Sequence, residues 1–290
     1  RMIVRGREVI FQAQPVAVGG RTVPGHSRHG EILFSRIHEE RVFDDYLEIE
    51  GDVMVISDLE IPFHDAELLG YMVSLAMKFG IKKLVIAGDF LAVDELSKWP
   101  SEEGQEVSAA TLADTIWSGG DVLKSLFEWF ESIYLIKGNH EQRGTQQKEI
   151  GLFRMMEYQW SGMDGDLEVS LYKWCRVFSG GKPFRIEHPR NYSKVPGSVS
   201  RDRAEIEGEP VLCGHTHHHS LTYTKNGQHQ AVDLGHCTRP ETRHYKMVNG
   251  TTRHPKWVAG FWMIRNGHLY GFTKEFTDWE FWLRGMKLSN

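Results

Sequence analysis

Three runs of four apolar residues in the first half of the chain are each followed, within three residues, by an acidic or amide side chain. The runs span 53–56, 84–87 and 133–136, and the residues that follow them are Asp58, Asp89 and Asn139. Short apolar runs of this kind are typical of strands that are buried on both faces of a sheet. The pattern therefore predicts buried strands whose carboxyl ends each carry a polar side chain.

Helical patterns separate these runs. Residues 66–79 carry an apolar stripe at helical spacing, and 109–129 form a second helical stretch that we expect to be interrupted at Gly119-Gly120. A third helical stretch is expected around 148–160. Alternation of strand, helix and strand predicts parallel sheet with crossover helices, an α/β fold.

The second half of the chain has a different pattern. Asn226-Gly227 and Asn266-Gly267 each lie between extended segments, which predicts β-hairpins. A parallel half followed by a hairpin-rich half fits either two domains or one sandwich of two sheets. Because no linker separates the halves, we expect one domain over 51–290, preceded by an N-terminal extension, 1–50, that packs on it. The alternative for the extension is a basic arm for a polyanion, since residues 1–30 contain five arginines and a single acid.

Charge and cysteine content exclude some classes of protein. The formal net charge of −5 argues against a surface-wide nucleic-acid binder. Residues 239–256 nevertheless hold five cations and one acid, so nucleic acid stays open as a partner on a local basic track. Three cysteines without a CxxC pair are expected to be reduced interior thiols, which favours a cytoplasmic location. No signal-peptide pattern and no apolar run of about 18 residues is found, so we expect no membrane partner.

The polar residues at the strand ends are of metal-ligand type. In open α/β sheets, ligands bind beyond the carboxyl ends of the strands. The acidic, amide and imidazole side chains at these ends, or just after later strand-like segments, are Asp58, Glu60, Asp89, Asn139, His140, His188, His215 and His217. Such side chains suit divalent metals, and the set is larger than one cation needs. A pair of cations about 3.5–4 Å apart is the general solution for phosphate ester hydrolysis, because both the attacking and the leaving oxygen need charge stabilisation.

The order of these segments is itself informative. In chain order they are Asp58-x-Glu60, Gly88-Asp89, Gly138-Asn139-His140-Glu141, His188 and Gly214-His215-x-His217. This order, over residues 52–220, resembles the calcineurin-like metallophosphoesterase superfamily, whose pattern is Asp-x-His, Gly-Asp-x-x-Asp, Gly-Asn-His-Asp/Glu, a separate His and Gly-His-x-His. The resemblance implies a four-layer α/β/β/α sandwich of two mixed sheets, the metallo-dependent phosphatase fold, and a hydrolase that acts on a phosphate ester substrate.

The resemblance also implies a role for each residue. One metal ion would be held by Asp58, Glu60, Asp89 and His217, and the other by Asp89, Asn139, His188 and His215. Asp89 would bridge the two ions, and a hydroxide that they share would attack phosphorus in line. His140 would act at the leaving oxygen as general acid or hydrogen-bond donor, and Glu141 would orient an imidazole or the backbone. The planar donors of Arg143 make it a candidate substrate-binding residue.

Two positions depart from the family pattern. Glu60 stands where the family has His, and the extra carboxylate weakens the positive field of the centre, so we expect Mn²⁺, with Mg²⁺, Fe, Zn²⁺ or Ni²⁺ as alternatives. Ala92 stands where the family has an Asp that would assist His140, and Asp94 is a displaced candidate for that role. Weak leaving-group protonation follows, which favours esters with acidic leaving groups and hence phosphodiesters.

Two other functions remain open at this point. Within enzymes the alternative is a DNA nuclease of the same fold, and outside enzymes it is a non-catalytic metallophosphoesterase-like binding module. Retention of ligand-type side chains throughout the motif favours the enzyme. We expect His218 and His219 at the rim of the site. His64 is either a loop histidine over the site or a solvent-exposed one, and the second alternative is favoured. Four aromatic residues of the last segment are expected in the core: Trp257, Phe261, Trp262 and Phe272.

Overall fold

The computed structural model describes residues 2–5, 8–11, 46–93, 112–146, 160, 165–170, 172–239 and 257–284, with only the backbone described in the first two ranges and at 143–146. The chain divides into two compact units, Arg1–Asp45 and Tyr46–Asn290. In the first unit, β1 (Met2–Arg5) and β2 (Glu8–Phe11) pair as an antiparallel hairpin. The remaining described elements belong to the second unit.

The second unit contains twelve described strands and five described helices. The strands are β3 (Glu48–Glu50), β4 (Val53–Ile56), β5 (Lys83–Ala87), β6 (Ser132–Ile136), β7 (Asp166–Val169), β8 (Trp174–Ser179), β9 (Lys182–Glu187), β10 (Val211–Cys213), β11 (His219–Tyr223), β12 (Gln230–Leu234), β13 (Gly260–Arg265) and β14 (His268–Thr273). The helices are α1 (Ala66–Phe79), α2 (Leu112–Phe127), α3 (Asn139–Gln146), α4 (Ser198–Glu207) and α5 (Trp279–Leu283).

These strands form two mixed sheets of six strands each. The first sheet has the order β14-β13-β4-β5-β6-β7, in which β4 to β7 are parallel and β13 and β14 are antiparallel neighbours. The second has the order β11-β12-β10-β9-β8-β3, in which β9, β10 and β12 are parallel. The predicted hairpins are confirmed, since Asn226-Gly227 joins β11 to β12 and Asn266-Gly267 joins β13 to β14.

Alternation of side chains along the buried strands produces four layers. In β4, Met54 and Ile56 pack in the cluster that includes α1 and α2, whereas Val53 and Val55 pack against apolar residues of the second sheet. On the far side of the second sheet, Val211 and Cys213 of β10 pack with α4. Because successive residues of a strand point to opposite faces, a strand that is apolar throughout requires cover on both sides. The α/β/β/α sandwich expected from the sequence is therefore confirmed.

Helix α2 differs from expectation at its centre. The helix continues through Gly119-Gly120, so the predicted interruption is wrong. Both glycines are buried, and a Cβ on Gly119 would lie 2.7 Å from Leu91 Cδ2. The missing side chains thus allow close packing rather than breaking the helix. Of the helical stretch predicted around 148–160, only Trp160 is described; it is helical and its ring packs edge-on to Phe90.

The beginning of the sandwich lies in the segment that the sequence assigned to the N-terminal extension. Strand β3 pairs in parallel with β8, and Gly51 N donates to Phe178 O at 2.8 Å. How residues 1–50 pack as a whole stays a prediction. Among the described residues, no helix is long and apolar enough to cross a membrane.

Candidate metal centre

The candidate residues converge on one edge of the sandwich, where strands of both sheets end. Strands β4, β5 and β6 of the first sheet are followed by Asp58, Asp89 and Asn139. Strands β9 and β10 of the second sheet are followed by His188 and His215. Since parallel strands share the direction of their carboxyl ends, stacking the two sheets brings these five side chains to one place.

One half of the centre is built around Asp89 and His188. His188 Nε2 lies 3.3 Å from Asp89 Oδ2 and 3.2 Å from Asn139 Oδ1. Potential ligand atoms of Asp89, His188 and His215 all lie within 4.8 Å of one another. His188 Nδ1 is 2.8 Å from the carbonyl oxygen of Ala87, so this nitrogen carries the proton and donates it there. Nε2 is thereby directed into the centre, the orientation that metal-ligating histidines generally have.

The other half contains Asp58, Glu60 and His217. His217 Nε2 lies 3.1 Å from Asp58 Oδ1 and 4.0 Å from Glu60 Oε1. Glu60 Oε1 is also 3.9 Å from His140 Nε2. The His215 backbone N–H donates to Asp58 Oδ2 at 3.0 Å, which joins the two halves. The structure therefore brings together all seven residues for which the sequence suggested metal ligation, including the unusual Glu60.

The backbone at this edge adopts a conformation that non-glycine residues rarely take. Five of the candidate ligands have positive φ: Asp58 (52°), Glu60 (48°), Asp89 (48°), His215 (78°) and His217 (59°). Left-handed φ in a non-glycine residue costs of order 1–3 kcal/mol and persists only where the surroundings enforce it. Such residues cluster at functional sites, so the backbone marks the same edge as the side chains do.

The motif glycines allow this close approach. A Cβ on Gly88, which has φ +83°, would lie 2.5 Å from His188 Nδ1. A Cβ on Gly138 would overlap the Asp89 carboxylate. Glycine is therefore required at these positions so that ligands from neighbouring strands can meet.

Glu141 holds together, by hydrogen bonds, the loops that carry the ligands. Its fully buried carboxylate accepts four backbone N–H bonds, from Gly138 (2.8 Å), Asp89 (3.1 Å), Phe90 (2.8 Å) and Leu91 (3.1 Å). These groups belong to the segments that follow β5 and β6. The side chain thus holds the backbone around Asp89 rather than orienting an imidazole.

His140 sits at the border of the two halves. Its Nδ1 lies 3.2 Å from the Leu91 carbonyl oxygen, and its Nε2 lies 3.6 Å from Asp89 Oδ2. Ala92, at the position of the family's second Asp, is buried and has no carboxylate to offer, so a neutral carbonyl is the acceptor that orients the ring. Asp94 lies outside the described residues.

The charges of the centre are mutually dependent. Burial would lower the pKa of His188, but the carboxylates of Asp89 and Asp58 raise it to about 9. Burial, together with the neighbouring His188, lowers the pKa of His215 to about 4. Burial would raise the pKa of Asp89, yet the imidazoles of His140 and His188 hold it well below its usual range. The buried carboxylates are thus balanced by positive charge, and carboxylate, amide and imidazole donors together fit divalent cations.

Three other histidines are placed differently from expectation. His218 and His219 are not rim residues: His218 is buried, with Nδ1 3.9 Å from Asp233 Oδ2, and the His219 ring stacks on Trp262 at 4.8 Å. His219 is the first residue of β11, where it pairs with Leu234 of β12. His64 is only partly exposed and forms a β-bridge with Thr238, so the solvent-exposed loop expected there is wrong.

Sequence reasoning missed two rings beside His217. Phe261, Trp262 and Phe272 are core residues as expected, but Trp257 packs on the His217 ring with centroids 4.2 Å apart. His236, which is buried, lies 5.3 Å from the same ring. His236 follows β12, which runs parallel to β10, so the strand-end rule would have found it. The side chain of Arg143 and residues 240–256 of the basic segment lie outside the described part.

The structure thus combines a four-layer sandwich with a cluster of ligand-type residues at the carboxyl ends of its strands. This is the fold class that the order of the sequence motifs implied. Among solved structures, the chain resembles YfcE, a phosphoesterase from E. coli, at 14% identity and a TM-score of 0.39, over 75% of this chain and 90% of that one. It also resembles Vps29 from Cryptosporidium parvum, at 13% identity and a TM-score of 0.37, over 78% and 98%.

A third similar structure is Vps29 from Entamoeba histolytica complexed with Zn²⁺, at 11% identity and a TM-score of 0.35, over 77% of this chain and 97% of that one. No family model and no curated protein matches the sequence.

Proposed function

We propose that the chain is a two-metal phosphoesterase that hydrolyses phosphate esters, with phosphodiesters preferred. The observation that carries the proposal is the convergence of carboxylate, amide and imidazole donors around Asp89, which lies 3.3 Å from His188 and 3.6 Å from His140. Seven ligand-type side chains at one strand edge, five of them on left-handed backbone, exceed what a structural polar cluster needs.

The residues divide naturally between two ions. Asp58, Glu60, Asp89 and His217 would hold one, and Asp89, Asn139, His188 and His215 would hold the other. When bound, two divalent ions supply the positive charge that activates water and neutralises the oxygens of the phosphoryl group. Because Glu60 adds a carboxylate, we propose Mn²⁺ or Mg²⁺ ahead of Zn²⁺.

His140 serves the leaving oxygen in this proposal. The Leu91 carbonyl orients the ring through Nδ1 and leaves Nε2 facing the carboxylates. The ring thus lacks the charged partner that an aspartate at position 92 would provide, so we expect His140 to give little assistance to the leaving oxygen. Esters whose leaving group needs little protonation, such as aryl phosphodiesters, are therefore the preferred class.

Metal content and hydrolysis of bis(4-nitrophenyl) phosphate test the proposal together. We expect the Mn²⁺-loaded protein to bind close to two ions and to turn over this diester. Asp89→Asn should lose at least about 100-fold in activity, because the shared ligand loses its charge. Asp121→Asn, at an exposed carboxylate on α2, is the matched control and should stay within about twofold of wild type.

The outcome also separates the alternative functions. Absence of both bound metal and turnover would identify a binding module and reject the enzyme. Cleavage of DNA with steep dependence on salt, and poor activity on small diesters, would identify a nuclease. A panel of monoesters, diesters and cyclic nucleotides at fixed metal then defines the substrate class.

We further propose a cytoplasmic location. Cys175, Cys213 and Cys237 are all buried and free, as expected in a reducing compartment. Fractionation of cells that express the full-length protein tests this.

A further inference from the structure

Lys173 lies on the same face of the second sheet as the ligand His188. The His188 backbone N–H donates to the Lys173 carbonyl at 2.9 Å, which extends the antiparallel pairing of β8 with β9 by one residue beyond Trp174 and Glu187. Residues directly opposite each other in an antiparallel pair point to the same face. The Lys173 side chain therefore leaves the strand toward the metal centre.

The ammonium group of Lys173 is buried and has no hydrogen-bond partner among the described residues. Its Nζ is inaccessible to solvent, and no described residue accepts a hydrogen bond from it. Burial of an ammonium nitrogen without a hydrogen bond is unfavourable, so a compensating interaction is expected. Burial and the nearby Arg190 guanidinium lower the pKa of Lys173, whereas the carboxylates of Asp89 and Glu141 act in the opposite direction.

Arg190 extends the same basic region toward solvent. It lies two residues after His188, is exposed, and donates from Nη2 to Gln142 Oε1 on α3 at 2.7 Å. A buried cation and an exposed one thus stand on the Asn139–His188 side of the centre. An anion that enters from this side meets Arg190 first and can then become the missing partner of Lys173.

We propose that Lys173 is a substrate-binding residue that donates to a phosphoryl oxygen of the ester held at the metal centre. The inference rests on the proposed phosphoesterase function and adds a specificity-determining residue to it. Lysine binds phosphate as a point charge with three donors, and such charge-assisted bonds are the strong ones. The lack of an acceptor among the described side chains and backbone groups is then explained, because the acceptor belongs to the ligand.

The test compares Lys173→Met and Lys173→Arg with wild type in the full-length, Mn²⁺-loaded protein. The probe is inorganic phosphate, whose binding is measured by calorimetry and as competitive inhibition of diester hydrolysis. Lys173→Met should weaken phosphate binding about 10- to 100-fold, while metal content stays unchanged. Lys173→Arg should recover part of that loss. Lys225→Met, at a surface lysine on the β11–β12 hairpin, should bind phosphate as wild type does.

Stability distinguishes a ligand-binding lysine from a structural one. Methionine fills a similar volume without the unpaired charge, so Lys173→Met should raise the urea midpoint of the ligand-free protein. A lowered midpoint with unchanged phosphate affinity overturns the inference. An active wild type with an unaltered Lys173→Met variant also overturns it but leaves the phosphoesterase proposal intact, whereas a wild type without metal or turnover rejects the proposed function itself.

Discussion

The two ends of the sandwich both contain residues with a left-handed backbone conformation, but the residue types that adopt it differ. At the end opposite the metal centre, positive φ is taken mainly by glycine, at Gly51, Gly180, Gly181 and Gly267, and by one asparagine, Asn266. At the metal-centre end, the same region of φ is occupied mainly by carboxylate and imidazole residues, beside Gly88. Glycine adopts this conformation at little steric cost, but it brings no ligand.

The polar groups of the two ends also differ. At the opposite end, Asp52 Oδ1 accepts from Ser179 Oγ at 2.7 Å and from the Asn266 backbone N–H at 2.8 Å. Ser179 Oγ in turn accepts from Gly267 N–H at 3.1 Å, so the two sheets are joined by satisfied bonds. At the metal-centre end, buried carboxylates face imidazoles and each other. One end contributes stability, and the other gives up some stability to place ligands.

The largest effect is expected on stability, when the hydrogen bonds from Glu141 to the backbone of the metal-centre end are removed. Glu141→Ala leaves four buried backbone N–H groups without their acceptor, and we expect a loss of about 3–5 kcal/mol in the free energy of unfolding. Urea denaturation of the metal-free protein measures it. Asp52→Ala, which removes the corresponding bonds at the opposite end, should cost only about 1–2 kcal/mol and leave activity unchanged. Equal losses at the two ends would show that Glu141 has no special role.

A smaller effect on stability is expected at Glu60. Glycine should be less destabilising than alanine there, the reverse of the usual order in helices and strands. Because Glu60 has φ 48°, Glu60→Gly should be more stable than Glu60→Ala by about 1 kcal/mol. The same order is expected for Asn266→Gly and Asn266→Ala, where φ is 49°. The ends should differ in function, because the Glu60 variants lose metal affinity and the Asn266 variants retain full activity. Denaturation midpoints and metal content check both. A more stable alanine variant at Glu60 would argue that the left-handed backbone is not enforced there.

The smallest effect is a pH dependence at His64, near the metal-centre end. Burial and the Arg239 guanidinium lower the pKa of His64. Below about pH 6.5, the unfolded chain therefore binds more protons at His64 than the folded chain does. The favourable contribution of His64 to the free energy of unfolding is present above that pH and is lost as pH falls through the folded pKa. His64→Gln should reduce the difference between urea midpoints at about pH 5.5 and about pH 7.5. His268→Gln, at an exposed histidine of the opposite end, should leave that difference as in wild type.

Local pattern was a good guide to the strands and to the residues at their ends. Four-residue apolar runs identified β4, β5 and β6, and the Asn-Gly pairs identified two hairpins, because both signals depend on neighbours in sequence. The interruption predicted at Gly119-Gly120 was wrong. Glycine usually indicates the end of a helix, and the close approach of Leu91 that requires glycine here is visible only in the structure. His218 and His219 misled for a similar reason, because their burial depends on β12 and β13.

The sequence by itself determined the α/β class of fold, the edge at which ligands gather and seven candidate ligands, because side-chain period, turn residues and strand ends are local features of the chain. The four-layer sandwich of two sheets was implied by the resemblance of the motif order to a known family. Only the tertiary structure decided that Leu91 supplies the acceptor for His140 and that Glu141 binds four backbone groups. It also decided that Lys173 lies opposite His188 and finds no hydrogen-bond partner in the described part of the chain. Those contacts join residues from different strands and sheets, and the register and stacking that create them are fixed only when the whole core packs.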